Sequence, residues 1–91
     1  VDVSERVAAR VRGDFPAEQV DEVLREVART ETGNQDVERV QAAVVLAARG
    51  DLERLTRLVE LSHVDWRDLL MAAGLGHGNW PELLDEELGP A

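Results

Sequence analysis

Any chemistry in this chain has to come from histidine, carboxylate or hydroxyl groups, because its 91 residues include no Cys, Lys or Tyr. The missing Cys excludes a disulfide scaffold, a thiolate metal site and a cysteine nucleophile. His63 and His77 could in principle meet with Asp65 or Asp68 to hold a divalent metal. Metal ligands usually sit at helical or short-loop spacing, as in His-Glu-x-x-His, and no such spacing occurs here. The plainer reading makes His63 a polar helix-end residue and His77 a solvated loop residue. Gly74-Leu75-Gly76-His77-Gly78 invites comparison with phosphate-cradling loops. Such loops follow a strand or carry Lys with Ser or Thr, whereas this one precedes an acidic segment. Paired carboxylates occur at Asp65 with Asp68 and at Asp85 with Glu86 and Glu87, but among 19 acids adjacency arises by chance. A catalytic carboxylate needs a partly buried site that shifts its pKa. Ser4 and Ser62 lack any nucleophile-elbow context. The expectation is a non-enzymatic protein with no catalytic residues, metal or cofactor.

Binding residues are easier to nominate. Val64-Asp65-Trp66-Arg67-Asp68-Leu69-Leu70 gathers a Trp, an Arg and two Asp around a helix start, and His77 and Trp80 follow across the glycines. Trp and Arg are the side chains that interfaces favour, through large contact area and directional hydrogen bonds. Trp66, Arg67, Asp68, His77 and Trp80 are therefore the binding candidates. The competing reading has Trp66 as a core anchor, Asp65 as a cap and Arg67 as a surface charge.

Helices must position these residues. Val3, Val7 and Val11 recur every four residues, with Ser4 or Asp2 as cap and Gly13 as stop. After Phe15-Pro16, the stripe Val20, Val23, Leu24 and Val27 predicts a second helix that ends near Thr30 to Gly33. Asn34 can cap a third, carrying Val37, Val40, Val44, Ala47 and Ala48, with polar positions at Glu38, Arg39 and Gln41 and Gly50 at its left-handed end. Asp51 restarts a fourth helix with Leu52, Leu55, Leu58 and Val59 inward. Asp65 caps a fifth with Trp66, Leu69, Leu70 and Ala73. Gly74 to Asn79 is the most glycine-rich stretch and reads as a flexible loop. Trp80-Pro81 opens a final helix with Leu83, Leu84 and Leu88 docked, and Glu82, Asp85, Glu86 and Glu87 in water, before Gly89-Pro90. The predicted fold is all-α, a compact bundle of five to six short helices in a single domain spanning 1–91. Its parts are N-terminal helices in 3–32, a central unit in 34–73, and the loop and last helix in 74–91.

The run Arg39-Val40-Gln41 through Gly50-Asp51-Leu52 to Asp65-Trp66-Arg67-Asp68-Leu69-Leu70 resembles a group of short all-helical bacterial proteins of unassigned function. The resemblance spans roughly 37–73 and implies helices without implying an activity. Ten Arg with no Lys, Ile or Tyr is the footprint of a GC-rich, high-GC bacterial genome.

Net charge is −9, and residues 64–91 hold one Arg against six acids. That balance opposes association with nucleic acid or an anionic membrane. No apolar run approaches the length of a membrane span, so the expected setting is the cytoplasm. The Val and Leu stripes on so many short helices suggest more apolar surface than one core can hide. The function expected is thus a small acidic protein-interaction or adaptor module with a protein partner, or a homodimer. The alternatives are a small-ligand or metal-binding domain, an accessory subunit of an enzyme, and a DNA mimic, which the arginines mixed among the acids disfavour.

Overall fold

The computed structural model describes residues 2–89 and contains five α-helices, with no strand among the described residues. They are α1 (Glu5–Asp14), α2 (Val20–Ala28), α3 (Val37–Ala48), α4 (Leu52–Ala72) and α5 (Trp80–Leu88), with a 3-10 turn at Ala17–Gln19 ahead of α2. No helix is long and apolar enough to cross a membrane, among the described residues. The position expected for Pro90 lies outside them.

α3 is the central post, touching α1, α2, α4 and α5. Its buried residues Val40, Ala42, Ala43, Val44, Val45 and Ala48 lie on every side, as expected of a helix surrounded by others. Val7, Val11, Phe15, Val23 and Val27 close on it from the N-terminal helices, and Leu55, Val59, Leu69, Leu75 and Leu84 from the rest. This core absorbs the apolar stripes almost completely: Val64 and Met71 are the only large hydrophobic side chains left exposed among the described residues. The stripes go mainly into one core, and most of the apolar side chains outside it are half-buried against it.

Side-chain caps start the helices. Ser4 accepts from the Val7 amide, Asp36 from Arg39 and Asp51 from Arg54. Asp36 takes the place expected for Asn34, because the chain is still in a turn at 34. Gly13 does not stop α1 either; the helix runs to Asp14 and ends where Pro16 forces Phe15 into an extended conformation. The fifth helix foreseen at Asp65 exists as the second limb of α4. Asp65 leaves the helical region (φ −156°, ψ 90°), and its carboxylate accepts from the amides of Arg67 at 3.0 Å and Asp68 at 3.4 Å. It is a cap inside a kinked helix.

Gln41, one of the polar positions of α3, is fully buried, because α3 has neighbours on all sides. Its Oε1 has no partner, and its amide reaches the Val27 carbonyl only at 3.5 Å. That carbonyl also accepts from the Thr30 amide at 3.1 Å. Gln41→Met, of similar shape, removes an unpaired buried acceptor without orphaning Val27. It is expected to raise stability by about 1 kcal/mol in urea unfolding.

Two arginines of α1, Arg6 and Arg10, tie the acidic C-terminal helix to the bundle. Arg6 donates to both Glu38 carboxylate oxygens at 2.8 Å, and to Asp85 Oδ1 and the Gly89 carbonyl at 2.8 Å. Ser4 also donates to Glu38. The Arg6 hydrogen bonds, ahead of the burial that opposes them, hold the Glu38 carboxyl below its ordinary range and raise the guanidinium further. Asp85 and Glu87 face water, in line with the sequence. Though exposed, they pair with Arg6 and Arg10. A carboxyl with a depressed folded pKa stabilises above its unfolded pKa, about 4.3, and that stability is lost as pH falls through the folded value. Glu38→Gln is expected to cost about 1 kcal/mol at pH 7. The gap from wild type should close as urea unfolding is repeated at pH values progressively below about 4.

Candidate functional site

The glycine segment is fastened. At the end of α4, the Leu75 amide donates to Leu70 O at 2.9 Å and the Gly74 amide to Met71 O at 3.1 Å, with Gly74 at φ +77°. These two bonds form a Schellman ending, which buries Leu75 beside Leu70. From α3, Arg39 donates through Nε and Nη2 to the Leu75 carbonyl at 3.0 and 2.8 Å, and through Nη1 to Gln35 Oε1 at 2.9 Å. Its guanidinium lies 5.1 Å from the centre of the Trp80 ring. Gly76 sits against Met71, where a side chain at 76 would run into the thioether.

Two hollows border this segment, one lined by Gly74 and Leu75 and the other by Gly76. The smaller, about 380 Å³, is lined by Gln35, Arg39, Trp66, Arg67, Leu70, Met71 and Gly76. The Arg67 guanidinium lies 5.2 Å from the Trp66 ring centre, in cation–π range. The larger, about 670 Å³, is a half-open groove between α3, α4 and α5. Leu46, Ala47, Leu58, Ala73 and Leu83, all half-buried, form its floor, and Arg10, Arg49, Arg54 and Glu87 stand around it.

The distribution of charge separates these hollows from the rest of the surface. Arg6, Arg10, Arg12, Arg29 and Arg57 each pair with a carboxylate. Arg49, Arg54 and Arg67 have no ion pair among the described residues, and all three line a hollow. Arg25, on the exposed side of α2 and away from both hollows, also has no ion pair among the described residues. In a chain with 19 acids against 10 Arg, cations left free beside half-buried apolar surface are the sites suited to an anionic partner.

Of the candidates taken from the sequence, Trp66 and Arg67 line the smaller hollow, and Trp80 backs it through Arg39. Trp66 is half-buried against the core. Asp68 and His77 are exposed and line neither hollow. His63 meets the Arg29 carbonyl at 3.0 Å. Ser62 is buried and accepts from the Glu31 amide. No three His, Asp or Glu side chains gather to hold a metal ion, among the described residues. Arg39, Arg49, Arg54 and the leucine floor escaped sequence reasoning. The available hint was local: Arg54 has Gly50 and Leu58, not acids, four positions away.

Comparison with protein-family models, with curated proteins and with solved structures finds no match to this chain.

Proposed function

We propose that this chain is a non-enzymatic protein-interaction module that receives an acidic amphipathic helix of a partner protein in the groove between α3, α4 and α5. The observation that carries the reading is that Arg49 and Arg54, without an ion pair among the described residues, stand beside the half-buried Leu46, Leu58 and Leu83, while the groove's Glu87 is taken by Arg10. A helix laid in such a groove would bury its leucines on the floor and set its acids against the guanidinium groups. A nucleic acid would meet the same two arginines, but it offers no apolar stripe for the leucine floor and needs a wider basic face than these two supply. A cytoplasmic setting is part of the proposal.

The test is fluorescence anisotropy with a labelled helical peptide that carries a leucine stripe flanked by glutamates, beside its glutamine counterpart. The Arg49→Glu/Arg54→Glu variant is expected to weaken binding of the acidic peptide by roughly tenfold or more, since two attractions become repulsions. Arg25→Glu, which makes the same kind of charge change away from the groove, should leave it within about twofold. Equal losses in both variants would reduce the effect to net charge and sink the proposal.

A further inference from the structure

We propose that the smaller hollow, over Trp66, is a binding site for a small planar aromatic anion, a carboxylate on a one- or two-ring body. This goes beyond the helix-binding groove and stands on separate residues. At about 380 Å³ the hollow falls in the lower part of the size range of small-molecule sites, whereas a helix with side chains is about 10–12 Å across. Its apolar surface consists of the Trp66 indole, Leu70 and the Met71 thioether, and Met71 is 58% exposed. Indole and thioether both favour contact with an aromatic body.

The polar surface has one sign. Arg39, Arg67 and the neutral Gln35 supply it, and no carboxylate lines the hollow. Asp65, nearby in sequence, caps the second limb of α4, and Asp68 lies outside the lining. Arg39 is a fixed positive charge, held by the Leu75 carbonyl and the Trp80 ring. Arg67 differs: its guanidinium contacts the Trp66 ring and donates no hydrogen bond to an acceptor among the described residues. A guanidinium placed in this way can stack through its face while its edge donates two parallel hydrogen bonds to a carboxylate. On the other flank the chain at Gly33 passes close to the indole edge, where a Cβ would stand 3.4 Å from Nε1. Trp66 is half-buried against the core.

The experiment is a titration of the ¹⁵N-labelled protein with 2-naphthoate, with 2-naphthalenemethanol and octanoate as neutral and aliphatic counterparts, following the indole N–H resonances. The expected result is a saturable shift of the Trp66 resonance by naphthoate with Kd at or below about 1 mM. Binding should weaken about tenfold in Arg67→Gln, an exposed position whose change leaves the core intact, and stay the same in Arg49→Glu/Arg54→Glu. The alcohol and octanoate should bind at least several-fold more weakly. No saturable shift, or equal shifts with the alcohol, or full binding in Arg67→Gln would overturn the proposal. None of these outcomes bears on the helix-binding groove, which the Arg49/Arg54 variant tests separately.

Discussion

Gly50→Ala is expected to destabilise the protein by about 3 kcal/mol and to lower its midpoint of thermal unfolding by more than about 10 °C. Gly50 links α3 to α4 at φ +79°, directly after Arg49, which is itself left-handed at φ +52°. Two consecutive residues of this kind turn the chain sharply enough for Asp51 to cap the next helix at once. A side chain in that region is strained in any surroundings, by about 1 kcal/mol or more. Here a second effect is larger. A Cβ at position 50 would stand 2.6 Å from the Asp14 carbonyl oxygen, a backbone atom at the end of α1 that cannot rotate away. Either the α3–α4 turn opens or α1 withdraws from the core, where Val7, Val11 and Phe15 are packed. Gly13→Ala provides the contrast: position 13 is helical with nothing within 4 Å, so alanine should be neutral or stabilising by up to about 1 kcal/mol. Urea unfolding of both variants, with the slope held constant, measures the difference.

Leu84→Ala is expected to cost about 3 kcal/mol, and its main effect should fall on α5. Leu84 is the one fully buried side chain of that helix. Trp80, Leu83 and Leu88 pack against the core only partly, and the other anchors are polar: Arg6 on Asp85 and the Gly89 carbonyl, Arg10 on Glu87 and its carbonyl, and Arg39 over the Trp80 ring. Exposed ion pairs contribute little, so the leucine carries most of the attachment. Hydrogen exchange should show α5 amides losing protection while those of α3 follow only the global change. Because Leu83 forms part of the groove floor, the same substitution should weaken peptide binding without touching Arg49 or Arg54. An α5 that keeps its protection would show that the polar contacts hold it.

Helix periodicity, the caps at Ser4, Asp51 and Asp65, and the left-handed Gly50 were legible in the sequence because each depends on residues within one or two turns. Gln41 was not. A polar residue on a helix reads as solvent-facing, and only four neighbouring helices around α3 make that position interior. Asp85 and Glu87 read as wet and are exposed, but their pairing was hidden, since nothing local reveals that Arg6 and Arg10 approach from the far end of the chain. Trp66 and Arg67 could be nominated from residue type. The role of Arg39 could not, since it comes from a carbonyl 36 positions away. The groove was hidden for the same reason: Leu46, Leu58 and Leu83 each look like ordinary core positions, and only their shared incomplete burial beside unpaired arginines distinguishes them.

The most direct measurement is the set of intermolecular NOEs between the acidic leucine-stripe peptide and the methyl groups of the isotope-labelled protein. The expected result is cross-peaks from the peptide leucines to Leu46, Leu58 and Leu83, all of them absent in Arg49→Glu/Arg54→Glu at the same concentrations. Cross-peaks confined to Val64 and Met71, or a peptide that binds with no contact to the groove leucines, would contradict the proposed function.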